Sequence, residues 1–410
     1  MEPVSEAARV IFDRRGISRG MVAFQDYAGR EQAYVKHVFL ERYLEALIFK
    51  TASRYNHIVY VDGFAGPWQS ASEQFEDTSF GIALNALRRA KETWKKNGRA
   101  VKMTALLVEQ NTAAYARLTT IPPKYPDITI QTYPADFLSI VPSILKDIPN
   151  DAFAFFFIDP KGWRIPLAKL QPLLARSKSE VTFNFMFEFI NRAASMSEPV
   201  TVAGLDELMP HGDWRARLAE AEQNAGRSLT PDERKDILIG AFTENLTQIG
   251  NYQYVVPTEI LRPLKNRTLY CLFYATRHES GIAAFRECQT KALDAQAETR
   301  ATLKVQHEAS GSGQSEFFES LHDMGPNETA TMRAAEKAKA EALVLELTPK
   351  APDHITYKEL WAAVLTRLAV RVTDVNSICA ILRKNGALLF PDWETGKRVP
   401  QDHYRTQRPA

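Results

Sequence analysis

The stretch Ile58-Val-Tyr-Val-Asp-Gly-Phe-Ala-Gly-Pro67 decides how this chain reads. An apolar run of strand length ends in a carboxylate and passes straight into a turn with two glycines. Glycine has no side chain, so a turn of this kind at the carboxyl end of a strand lets backbone approach a bound nucleotide. The complete G-x-G-x-x-G is absent, and no G-x-x-x-x-G-K-[ST] occurs, which weakens both a dinucleotide and a triphosphate reading.

On either side of this motif the pattern alternates. Residues 32–54 predict an amphipathic helix, with Val35, Phe39, Leu40, Tyr43, Leu44 and Leu47 on one side and Lys36, Glu41 and Glu45 largely opposite. Strand-length runs follow at Ile58–Val61, Thr104–Val108, Ile128–Thr132, Phe153–Ile158 and Val181–Phe185. The first four are spaced widely enough for crossover helices. Phe153-Ala-Phe-Phe-Phe-Ile158 has no polar position, the mark of a strand covered on both faces. Five such repeats imply an α/β fold built on a doubly wound sheet. A polar, helix-favouring stretch at 199–249 predicts a helical insertion. Strands near Tyr252–Val256 and Leu269–Thr276, then a helix near Ile282–Ala297, return the chain to the sheet.

Residues 307–330, with Ser-Gly-Ser-Gly and Gly325-Pro-Asn, have linker composition and close a first domain at 1–306. Residues 331–410 predict three helices, then strand, turn and strand. Thr356-Tyr-Lys-Glu359 is a capping box, and Asn385-Gly386 ends the last helix before Ala387–Phe390. That order is the order of a winged helix-turn-helix. Such modules bind either nucleic acid or protein.

Composition bounds the function. With 410 residues, 45% hydrophobic and 24% charged, the chain is an ordinary globular protein of two or three units. The longest apolar run falls far short of the ~20 residues a membrane helix needs, and the N-terminus is not a signal peptide. Cys271, Cys288 and Cys379 are widely spaced, which fits neither a disulfide framework nor a zinc site, and no His/Cys/Asp set has metal spacing. A cytoplasmic location is the default expectation. The net charge is only +2, so polyanion contact must come from local patches. From Lys350 onward ten Lys/Arg stand against six Asp/Glu, making the C-terminal unit the most basic stretch.

Three further strand ends complete a candidate site. Asp62, Gly63, Phe64, Ala65 and Gly66 would form the floor. Leu106-Leu-Val-Glu109, followed by Gln110, puts a carboxylate where it can accept from both hydroxyls of a ribose. Asp136 could accept from an adenine amino group, with Phe137 lining the ring. This is the usual adenosyl layout of methyltransferases that use S-adenosylmethionine. The fourth strand ends in Asp159-Pro160-Lys161-Gly162-Trp163, a rigid loop over the crevice where an acceptor would sit. It is similar to the D-P-P-Y loop of amino-methyltransferases, with Lys161 and Gly162 in place of the second Pro and the Tyr. Asn184, Glu188 and Arg192 recur every four residues, and they would share a face if the chain turns helical near Met186. His278, after the last strand, would close the pocket from another side.

Together, Tyr60-Val-Asp-Gly-Phe-Ala-Gly-Pro67, Phe157-Ile-Asp-Pro-x-Gly162, Asn184-Phe-Met186 and His278-x-x-Gly281 resemble the three-Cys-motif partner proteins (TcmP) over about residues 30–300. The resemblance implies a Rossmann-type, methyltransferase-like domain, often found in bacteria beside a radical-SAM-like three-Cys-motif protein. Thr78-Ser-Phe80 stands where that family has G-S-P, and Asp159-Pro-Lys-Gly162 where it has D-P-F-G.

Overall fold

Strand β1 (His57–Asp62) is buried along its whole length, as a run without polar interruption requires. In the computed structural model, which describes residues 27, 31–66, 70, 75–262, 264–265, 267–312 and 324–410, it is an interior strand, third from one edge, of a seven-stranded sheet. The other strands are β2 (Lys102–Val108), β3 (Thr129–Tyr133), β4 (Phe153–Ile158), β5 (Ser179–Phe185), β6 (Tyr254–Leu261) and β7 (Thr268–Thr276). The order is β3-β2-β1-β4-β5-β7-β6. Strands β1 to β5 are parallel, whereas β7 runs antiparallel to β5 and β6 antiparallel to β7. The order reverses between β1 and β4, and a crevice opens at such a switch point. This is the doubly wound α/β sheet expected from the sequence.

Alternate residues of each strand feed two cores. Phe153, Phe155 and Phe157 join one, Ala154, Phe156 and Ile158 the other. The first core lies under helices α1 (Glu31–Ala52) and α2 (Ser79–Lys96). Along the other strands and the second face run the short helices α3 (Thr112–Leu118), α4 (Val141–Asp147), α5 (Gln171–Leu174) and α6 (Phe187–Ala194). The expected insertion is three helices, α7 (Pro199–Leu208), α8 (Trp214–Ala225) and α9 (Pro231–Gly250), and Phe242 of α9 packs on Phe183, Phe185 and Phe273 of the sheet.

Helix α10 (Glu279–Ser312) runs well beyond the expected 282–297, and α11 begins at Met324 and extends to Leu347. The proposed linker at 307–330 is thus helical at both ends, and its middle, with Pro67, lies outside the described residues. In the C-terminal unit, α12 (Tyr357–Arg367) starts with the expected Thr356–Glu359 capping box, and α13 (Val372–Lys384) ends before Gly386 at φ +73°. The anticipated strand at 387–390 reduces to a bridge between Leu389 and Gln407, while β8 (Ile355–Thr356) pairs with β9 (Arg405–Thr406). The apolar residues of this unit, from Ala340 to Tyr404, form one continuous core with the α1/α2 face of the sheet. Arg286 of α10, fully buried, donates to the Leu365 carbonyl at 2.7 Å and so ties α10 to α12.

Candidate functional site

A cleft of about 830 Å³ opens at the carboxyl ends of β1, β2, β4 and β5. Gly63, Phe64, Gly66, Glu109, Gln110, Asp136, Phe137 and the whole Asp159-Pro160-Lys161-Gly162-Trp163 loop line it, as does Asn184. Parallel strands explain the convergence, because each ends on the same rim.

The turn after β1 is pinned from both sides. Gly63 N donates to the Phe157 carbonyl at 3.1 Å, and Ala65 N donates to the Val108 carbonyl at 2.8 Å. A Cβ on Gly63 would lie 2.7 Å from the Phe137 ring, so glycine is required here by packing. Ala65 itself is buried away from the cleft. Asp62 is also withdrawn. It is fully buried and accepts from Phe64 N at 3.0 Å, Ser79 Oγ at 2.7 Å and Tyr60 OH at 3.1 Å. Burial pushes its carboxyl up to about 6 against those donors. Its work is to hold the turn and the start of α2, behind the wall on which a ligand would lie.

Glu109 continues β2 by donating its backbone N–H to the Tyr133 carbonyl, and its carboxylate accepts from Asn111 N at 2.6 Å. Lys161 belongs to the same electrostatic field: burial lowers its ammonium and the Glu109 charge opposes that shift. Asp136 is exposed at the rim, where it caps a short 3-10 turn by accepting from Ser139 N at 3.0 Å, and Phe137 behind it is buried. In the β4 loop, Gly162 sits at φ +120°, where a side chain is strained, and Trp163 packs over Gly204 of α7.

The most constrained group is Asp159. Lys36 Nζ lies 2.5 Å from one carboxylate oxygen and Asn184 Nδ2 2.5 Å from the other. Asn184 is buried, and its Oδ1 has no hydrogen-bond partner among the described residues. Lys36 was expected on the outer side of α1; instead it enters the cleft. Glu41, also expected outside, is buried beside Arg89. The spacing Ala33, Lys36, His37, Leu40, Leu44 continues the apolar stripe of α1 toward its N-terminus, and Ala33, Lys36 and His37 all line the cleft. That periodicity is the signal by which Lys36 could have been found.

Besides Asp62 and Ala65, three further sequence candidates are not brought to the cleft wall. The chain leaves β5 at Phe185 and starts α6 at Phe187, so Asn184 belongs to the strand while Glu188 and Arg192 belong to the helix. Glu188 turns away to ion-pair with Arg262 and Arg267. Arg192 is exposed, over the Phe189 ring at 5.9 Å. His278 follows an antiparallel strand, so it emerges at the opposite rim, where Ala275 pairs with Val181. The nearby Gly281 is needed because a Cβ there would lie 2.5 Å from Tyr274 OH and 2.8 Å from Glu180 Oε1. Among the described residues, no group of three His, Cys, Asp or Glu could hold a metal ion, and no helix is long and apolar enough to cross a membrane.

No family model matches the chain, and no curated protein matches it. Among solved structures it is similar to a protein from Legionella pneumophila at 10% identity, over 63% of this chain and 86% of that one, with a TM-score of 0.35. It is also similar to loganic acid methyltransferase with SAH (9% identity, 78% and 92% covered, TM-score 0.30). A third likeness is to an apo-form mycolic acid cyclopropane synthase (8% identity, 77% and 87% covered, TM-score 0.26). At such scores, what the chain does must be read from its own cleft.

Proposed function

We propose that this chain is an S-adenosylmethionine-dependent methyltransferase acting on a nucleic acid or nucleotide-like substrate. The observation that supports this most is the shared cleft at the β1/β4 switch point, where Gly63, Gly66 and Glu109 stand on one side and the Asp159 loop with Asn184 on the other. The donor set fits the cofactor. Glu109 is a buried carboxylate whose lone pairs exceed the one that Asn111 uses, as a ribose diol requires. Phe137 and Asp136 line the same cleft and, on this reading, would serve an adenine ring and its amino group. Asp62, first read as a ligand, supports the turn from behind.

When bound there, S-adenosylmethionine supplies a methyl group already activated on sulfur. The residues of this chain contribute binding, alignment of the acceptor and exclusion of water, and alignment alone can account for much of such a rate enhancement. Asp159 is held in one orientation between Lys36 and Asn184, so it can fix an amino acceptor by accepting its N–H. No obligatory base is needed. Calorimetric titration with S-adenosylhomocysteine tests the reading: micromolar affinity that falls at least tenfold in Glu109→Ala supports it. Absence of binding at millimolar ligand removes it.

A second reading has one observation in its favour. Both Asp159 oxygens are already engaged, which suits a cofactor-binding subunit without chemistry of its own, docked to a three-Cys-motif protein as the family resemblance implies. Intact cofactor binding with no methyl transfer to any acceptor would favour that partner role. Nucleic-acid contact through residues 331–410, as in a DNA-binding regulator, is tested by Lys397→Glu with Arg398→Glu. Reversing the charges leaves the shared core intact, which deletion would not.

A further inference from the structure

Beside the cleft, on the side of β5 and β7, lies a surface that the proposed function does not use. Met186, Leu269 and Tyr270 line the cleft, so helix α6 and the turn joining β6 to β7 start at its edge. That turn carries Arg262, Lys265 and Arg267 with no acidic residue between them. Helix α6 has one acid, Glu188, and it is buried and shared by Arg262 and Arg267, which leaves the group with excess positive charge.

Aromatic rings alternate with these cations. Phe189 is 47% exposed, with the Arg192 guanidinium 5.9 Å from its ring centre, and the Arg164 guanidinium lies 5.5 Å from the ring of Trp163, which packs on Gly204 of α7, the helix in contact with α6. Burial does not account for exposing a phenylalanine to this extent on a helix whose other face is packed. Two cation-and-ring pairs beside a basic turn match the chemistry of an extended polyanion with flat bases: cations track phosphates, and rings stack on bases.

We propose that the surface formed by Trp163, Arg164, Phe189, Arg192, Arg262, Lys265 and Arg267 is a track for single-stranded nucleic acid that leads one base into the cleft. It rests on the methyltransferase reading only for what happens to that base; binding along the track stands by itself. A duplex keeps its bases stacked inside and has no free ring faces to offer, so the track favours unpaired strands.

The test uses the full chain and fluorescein-labelled single-stranded DNA and RNA oligonucleotides of mixed sequence, with anisotropy read at several salt concentrations. Arg164→Glu/Arg192→Glu/Lys265→Glu should weaken binding at least tenfold and flatten the plot of log K against log salt by about 2, as loss of three phosphate contacts predicts. Phe189→Ala should weaken binding about fivefold or more with the slope unchanged, since stacking carries no counterion release. The duplex of the same sequence should bind more weakly than the single strand. Unchanged affinity and slope in the triple variant overturn the proposal, as does equal or tighter duplex binding, or loss of binding only in Lys397→Glu/Arg398→Glu. S-adenosylhomocysteine titration of each variant keeps the two readings apart. Wild-type cofactor affinity shows that a variant is folded, while a wild-type chain that binds oligonucleotide but no cofactor refutes the methyltransferase and leaves the track standing.

Discussion

Asp62 shows how one residue can be legible in type and not in role. Its place at the end of β1 is written in the sequence, but its donors, Tyr60 OH, Ser79 Oγ and Phe64 N, converge only after folding. Its folded value of about 6 lies above the ordinary 3.8, so its contribution to stability is fully present below about pH 4 and is lost as pH rises through 6. The stability difference between wild type and Asp62→Asn, from urea unfolding, should therefore shift by roughly 2–3 kcal/mol against wild type between pH 4 and pH 7. A difference independent of pH would contradict this. Lys36 is the complementary case. Lys36→Ala should lower methyl transfer at least tenfold while leaving S-adenosylhomocysteine affinity within threefold, because the lysine touches Asp159 and stands across the cleft from the Glu109 wall. Equal loss of both would place it in cofactor binding instead.

Among elements, the parallel strands were the most legible. β1 and β4 are buried on both faces, and a strand covered twice has to be apolar throughout. The His278-x-x-Gly281 segment was misleading because strand direction is not encoded locally. The antiparallel β7 carries it to the far rim, where Gly281 lies against the buried cluster of Glu180, Tyr43, Tyr274 and Thr276. Gly281→Ala should cost about 1–3 kcal/mol and lower the melting temperature without changing cofactor affinity. A weakened affinity at an unchanged melting temperature would restore this segment to the site. At the start of α12, Thr356→Ala removes half of a capping box and should cost about 1 kcal/mol in the same melting experiment.

At the scale of the whole molecule, the C-terminal unit shares its core with the α1/α2 face of the sheet, and Arg286 fastens it to α10. Unfolding should accordingly appear as one calorimetric transition. Arg286→Ala leaves the Leu365 carbonyl without its donor and should cost on the order of 2–3 kcal/mol, seen as faster amide exchange across residues 357–367. Two resolved transitions in the wild type would show that the unit folds independently. By itself, the sequence determined the period and burial of each strand, the glycine turn, the carboxylate at the end of β2 and the capping box, because each depends on neighbours only a few residues away. Tertiary structure alone decided which strand ends meet, that Lys36 reaches Asp159 across 123 positions, and that Glu188 and His278 turn elsewhere. Those outcomes depend on strand direction and on packing between distant elements, which no local pattern specifies.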